Sequence, residues 1–142
     1  REKQALASHW RLWAHEGQLP PGGDWLIWLI LAGRGFGKTR AGAEWVRAIA
    51  ESDGKARIAL VGASLGEARA VMVEGGSGLI AIAPHGRRPR FEPSKRRLLW
   101  PSGAQATLYS AGEPESLRGP QHSHACRPGA EGRLRQRDRR PN

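Results

Sequence analysis

An unbroken apolar run, Trp25-Leu26-Ile27-Trp28-Leu29-Ile30-Leu31, leads directly into Ala32-Gly33-Arg34-Gly35-Phe36-Gly37-Lys38-Thr39. Three glycines in so short a space leave the backbone free to turn its N–H groups inward, where they can surround an anion. The residues that follow have helical character, and a helix start adds positive potential at the same place. Apolar run, glycine loop and helix in that order predict a phosphate-binding turn between a buried strand and a helix. The usual spacing is Gly, four residues, then Gly-Lys-Ser/Thr. Ala32 stands at the first glycine position, one small residue for another. Gly33-x-Gly35 does not continue into a dinucleotide or protein-kinase fingerprint, because Lys stands at position 38 where a third glycine would be required. The loop therefore predicts nucleoside triphosphate chemistry. Lys38 would reach the β- and γ-phosphates and the Thr39 hydroxyl would ligate Mg²⁺.

With 142 residues, 39% of them hydrophobic, the chain can fill one modest core. Its formal net charge of +10 favours polyanionic partners, nucleic acid first. The stretch from Arg127 to Asn142 holds six arginines against Glu131 and Asp138. Cys126 is the only cysteine, which excludes an internal disulfide and fits a reducing, cytoplasmic setting. The longest apolar run is far too short to cross a bilayer, so no membrane partner is expected. A chain that begins with Arg1 and has its only methionine at Met72 is expected to be part of a longer reading frame.

Leu6, Trp10 and Trp13 form an i, i+4, i+7 stripe, predicting a helix over residues 2–15. Gly17 and Pro20-Pro21-Gly22-Gly23 break it. Trp25 to Ala32 predicts a strand buried on both faces. Thr39 to Glu51 predicts a helix with Ala41, Trp45, Ala48 and Ile49 on its apolar side and a solvated stripe of Arg40, Glu44, Arg47 and Glu51. Arg57 to Gly62 predicts a second buried strand. Ser64 and Glu67 predict a capping box for a helix to about Val73, ended by Gly75, Gly76 and Gly78. Arg96–Trp100 and Ala104–Tyr109, on either side of Pro101-Ser102-Gly103, predict a β-hairpin. The sum is an α/β chain with a mixed, mainly parallel sheet and flanking helices, of the phosphate-loop NTPase type but incomplete.

The stretch from Leu31 to Val46, reading Leu-Ala-Gly-Arg-Gly-Phe-Gly-Lys-Thr-Arg-Ala-Gly-Ala-Glu-Trp-Val, closely resembles the large terminase subunit of tailed bacteriophages. So do Arg57–Gly62, Glu67–Gly75, Phe91–Ser94, Leu98–Gly103 and Leu117-Arg-Gly-Pro-Gln121. The resemblance spans roughly residues 10 to 124 and implies the N-terminal ATPase domain of the motor that packages DNA. That motor works as a ring on double-stranded DNA in the host cytoplasm, with a portal protein and a small terminase subunit. Its cofactors are ATP and Mg²⁺. Residue by residue, the resemblance implies that Gly33, Arg34, Gly35, Phe36, Gly37, Lys38 and Thr39 hold nucleotide. Arg34 would offset charge building on the γ-phosphate. Arg118 matches an arginine finger reaching a neighbouring subunit, and reads equally as one half of a structural ion pair. Gln18 stands where adenine recognition is expected, and reads otherwise as a turn residue.

In the family an apolar strand ending in Asp-Glu follows Leu-Arg-Gly-Pro-Gln. The Asp helps hold Mg²⁺ and the Glu activates water. Here His-Ser-His-Ala-Cys-Arg-Pro-Gly follows instead, without that strand and without the acidic pair. Five histidines and one cysteine make no zinc ligand set. The expectation is a truncated ATPase domain over residues 1–124 and a basic, disordered tail over 125–142 that reads as the product of a shifted frame. Two alternatives stay open. One is a catalytically inactive nucleotide- or DNA-binding remnant of a decayed prophage gene. The other is a small phosphate-loop kinase, for which neither acceptor site nor arginine-bearing lid is found.

Overall fold

A computed structural model describes residues 10–30 and 36–127. The first helix, α1, covers Trp10–Trp13, and a 3₁₀ turn follows at Glu16–Gln18. Helix α2 runs Lys38–Ser52 and strand β1 Arg57–Gly62. Helix α3, Leu65–Glu67, continues as a π-helical segment over Ala68–Val73. Strands β2 (Arg90–Glu92), β3 (Arg97–Leu99), β4 (Gln105–Ser110) and β5 (His124–Cys126) complete the order. The part of the predicted helix before Trp10 lies outside the described residues. The Ser64 side chain accepts from the Glu67 N–H, as the capping motif requires.

The five strands form one mixed sheet in the order β2-β3-β4-β1-β5. β1 pairs in parallel with β4 over six residues and with β5 over three, whereas β2–β3 and β3–β4 are antiparallel. The sheet is therefore parallel on one side and antiparallel on the other, rather than mainly parallel throughout. The predicted hairpin is β3–β4. Ser102 fixes its turn by donating to the Ala50 carbonyl at the end of α2, at 2.6 Å. Ile58 and Leu60 of β1 share a core with Val46 and Ala50 of α2, Met72 and Val73 of the π-helical segment, and Leu98, Ala106 and Leu108 of the hairpin. Both helical segments thus cover one face of the sheet.

Three expectations need correction. Trp25–Ile30 is not a strand. Leu26 is 100% exposed and Ile27 85%. An apolar run names no pairing partner, and here the tryptophans find local ones. The Trp25 indole N–H donates to the Pro21 carbonyl at 2.9 Å, and its ring packs on Trp28 and Trp45. Second, the charged stripe on α2 is not plain solvated surface. Glu44 is only 4% exposed, held by Arg40 and Arg47 at 2.8 Å each, and Arg47 continues to Glu51 at 3.1 Å. Burial works against the Arg47 cation, but its two carboxylates outweigh this and raise its pKa above the ordinary value. The buried apolar side of α2 is Ala41, Ala43, Val46 and Ala50, while Ala48 faces solvent.

Third, a strand does follow Gln121. β5 lies parallel to β1, with Ser123 donating its N–H to the Arg57 carbonyl at 2.8 Å. A boundary at residue 125 falls inside it. Its inward residues meet α2: His124 stands edge-on to Trp45, and Cys126 packs where a side chain at Gly42 would intrude. Burial pushes the Cys126 thiol up to about 11. Cys126 should therefore resist iodoacetamide in the native chain at pH 8 and react readily in urea, with native alkylation rising only as the pH approaches that value. Equal rates in both states would remove β5 from α2.

At the other end of β1, a Cβ on Gly62 would sit 2.8 Å from the Ala68 nitrogen, which is backbone and cannot step aside. Gly62→Ala should cost about 1–3 kcal/mol by overpacking, read as a lower urea midpoint.

Candidate functional site

α2 begins abruptly. Its N-cap, Gly37, has φ +82°, a left-handed conformation that suits glycine, and offers no side chain to the first N–H groups of the helix. The Gly37 carbonyl accepts from the Ala41 N–H at 2.9 Å, starting the helical ladder. Lys38 and Thr39 occupy the first two helical positions. The N-cap residue of this 15-residue helix therefore supplies no capping carboxylate or hydroxyl, and the helix start carries the positive end of its dipole. Gly33, Arg34 and Gly35 lie outside the described residues, as do Leu31 and Ala32.

Gln18 is brought to this point from the other side of the glycine loop. It is 5% exposed. Its Nε2 donates to the Phe36 carbonyl at 2.6 Å and to the Gly37 carbonyl at 3.4 Å, and its Oε1 accepts from the His15 N–H at 2.8 Å. The His15 ring stacks on Phe36 with centroids 6.1 Å apart. A side chain at Gly37 would run into the Gln18 amide, so the glycine is needed for space as well as for conformation. In this arrangement the Gln18 amide holds loop carbonyls.

Arg118 is not near-buried or locked. Its side chain is 82% exposed and pairs with Glu115 at 3.2 Å, at the end of a 3₁₀ turn over Pro114–Leu117. It is thus presented to solvent. The network on α2 was not foreseen as part of the site. It extends from Glu51 and Arg87, 3.6 Å apart, through Arg47 and Glu44 to Arg40, whose guanidinium lies 5.2 Å from the centre of the Trp10 ring. The i, i+3 and i, i+4 spacing carried the pairing signal, but not the burial.

Among the described residues no group of three or more His, Cys, Asp or Glu side chains could hold a metal ion. No helix there is long and apolar enough to cross a membrane.

The Gln18 brace can be tested without any ligand. Gln18→Glu replaces the donating amide with a carboxyl that faces two carbonyl oxygens. Protonated, it can still donate; ionised, it cannot. The variant should lose about 1–3 kcal/mol relative to wild type at pH 7 and less at pH 4, so its deficit grows as pH rises. Urea denaturation at the two pH values measures this, and a pH-independent deficit would contradict the brace.

Residues 29–126 match the family model described as terminase large subunit, T4likevirus-type, N-terminal. No curated protein and no solved structure matches the chain. The match covers well over half of the sequence and takes in α2, all five strands and Arg118. The sequence resemblance is thereby borne out, and the chain belongs to the N-terminal family of T4-type terminase large subunits, the proteins of phage DNA packaging.

Proposed function

We propose that the chain is the nucleotide-binding part of an ATP-driven DNA-packaging motor, of the phosphate-loop NTPase type. The start of α2 carries this reading. A helix with a left-handed glycine at its N-cap and Lys-Thr as its first residues suits a polyphosphate. Backbone N–H groups around Gly35, Phe36 and Gly37 would cradle the phosphates. Lys38 would bind the β- and γ-phosphate oxygens, and the Thr39 hydroxyl would be a ligand for Mg²⁺. Mg²⁺, when bound, offsets the negative charge of the phosphates. The donors here are a hydroxyl and helix-start amides, the hard groups that this cation and its phosphate partners accept. Arg34 would stabilise charge developing on the γ-phosphate, and Arg118, exposed and paired with Glu115, would reach a neighbouring copy in a ring. Gln18 would hold the floor of the loop, whatever it contributes to the base. Double-stranded DNA, the portal protein and the small terminase subunit are the partners this role entails, and the bacterial cytoplasm its setting.

A second reading, binding with little turnover, is favoured by β5. The strand that follows Leu-Arg-Gly-Pro-Gln carries His124, Ala125 and Cys126, and no two acidic residues are adjacent anywhere in the chain. Positioning and charge stabilisation make up nearly all of phosphoryl-transfer catalysis, and the carboxylates that would order metal and water are lacking. The purified chain should bind Mg-ATP in a calorimetric titration, and Lys38→Ala should abolish binding. Turnover should stay well below about 1 s⁻¹. Unchanged binding by Lys38→Ala would take the loop out of the site, and turnover at or above that rate would overturn the second reading.

A further inference from the structure

Half of the chain's net charge lies in thirteen residues. Between His85 and Arg97 stand Arg87, Arg88, Arg90, Lys95, Arg96 and Arg97 against Glu92 alone. Leaving aside this stretch and the segment 127–142, the rest of the chain is close to neutral. The fold gathers Arg88, Arg90, Lys95, Arg96 and Arg97 on or beside the β2–β3 ribbon at the sheet's edge, while Arg87 turns to Glu51 of α2. Phe91 and Leu98 are cross-strand partners, and both pack into the core. Period-two alternation then places Arg90, Glu92 and Arg97 on the opposite face, away from the helices. Glu92 holds three of the cations together: Arg90 at 3.3 Å, Arg97 at 3.4 Å and Lys95 at 3.9 Å. One carboxylate thus orders three positive groups and cancels only one of them. Arg88 and Arg96 are exposed on either side, without an ion pair among the described residues. Arg96 takes a left-handed backbone, φ +53°, at the turn into β3.

We propose that this ribbon is the chain's docking surface for the phosphate backbone of double-stranded DNA. The proposal rests on DNA being the partner and adds where it is held. The ribbon ends the sheet, with β2 as its edge strand. Phe91 and Leu98 face the core, and only the half-buried Leu99 shares the cationic face, too little apolar surface to enter a membrane. Four of its five cations are arginines, whose planar forks pair with phosphate oxygens bidentately. Protection of an edge strand from aggregation favours Lys above all, whereas this edge carries four arginines and one lysine. Contacts to phosphate alone predict binding that ignores sequence and falls steeply with salt.

The test uses the full 142-residue chain and a fluorescent 24-base-pair duplex, with anisotropy titrations between about 50 and 200 mM KCl. The paired variant Arg88→Ala/Arg96→Ala should lower the slope of log K against log salt by about 1.8, two phosphate contacts at about 0.9 each. Arg88→Lys/Arg96→Lys should retain most of it. Melting temperature and Mg-ATP binding should match wild type in both, since neither residue touches the core or the start of α2. If wild type binds the duplex and the alanine pair leaves the slope unchanged, the ribbon is not the surface, though DNA remains the partner. If wild type binds phosphatidylserine vesicles and no duplex, both fall.

Discussion

The parallel pairing of β1 with β4 is the constraint on which the rest of this structure depends. Six residues of β1 are paired along one side with β4, and three along the other with β5. Ile58 and Leu60 are almost wholly buried beneath the helices. A strand with both neighbours in place and its inner side chains covered cannot shift by one residue without turning those side chains out. That fixed register sets the positions of both helical segments. Val46 and Ala50 of α2 pack into the same core as β1, and the Gly62–Ala68 contact ties the end of the strand to the π-helical segment. The start of α2 is therefore held in place by contacts made one to three turns further along the helix.

What could be read from the sequence follows from whether the signal was local. β1 is marked by Ile58-Ala59-Leu60-Val61 bounded by charge and glycine, and the hairpin by alternation around Pro101-Ser102-Gly103. Ser64 lies three residues before Glu67, and its hydroxyl accepts the Glu67 N–H. Each of these needs only neighbours in sequence. Trp25–Ile30 failed because a strand also needs an edge to pair with, and hydrophobicity does not name one. β5 was missed for the converse reason. His-Ala-Cys has no apolar pattern, but an edge was available beside β1 and the backbone supplied the bonds. In sequence Glu44, with arginines at i−4 and i+3, reads as part of an ordinary surface stripe. Only tertiary packing makes it a buried carboxylate between two arginines.

The site divides in the same way. The glycine pattern and Lys38-Thr39 located the start of α2, and the left-handed Gly37 agrees with that pattern. Gln18, by contrast, is nineteen residues away from Gly37, and no local rule connects them. Its buried amide spans His15, Phe36 and Gly37, so the residues before the glycine loop shape its last turn. A residue expected to face a base is, in this fold, occupied with backbone carbonyls. An amide already satisfied on both ends gains less from a ligand than a free one does, because each new bond must replace an existing one.

β5 separates two requirements that a catalytic strand normally meets together. Pairing with β1 asks only for backbone N–H and C=O groups, with side chains small enough to fit against α2 at Gly42 and Trp45; His124 and Cys126 satisfy it. Hydrolysis asks for particular carboxylates at the strand's end, and backbone pairing does nothing to supply them. A strand can accordingly join the sheet without carrying a carboxylate. The raised thiol of Cys126 reflects this: the environment that receives the strand disfavours a charged side chain at that position unless a cation or a metal ion stands opposite. A neutral side chain is accordingly the more easily accommodated one at this point of the strand.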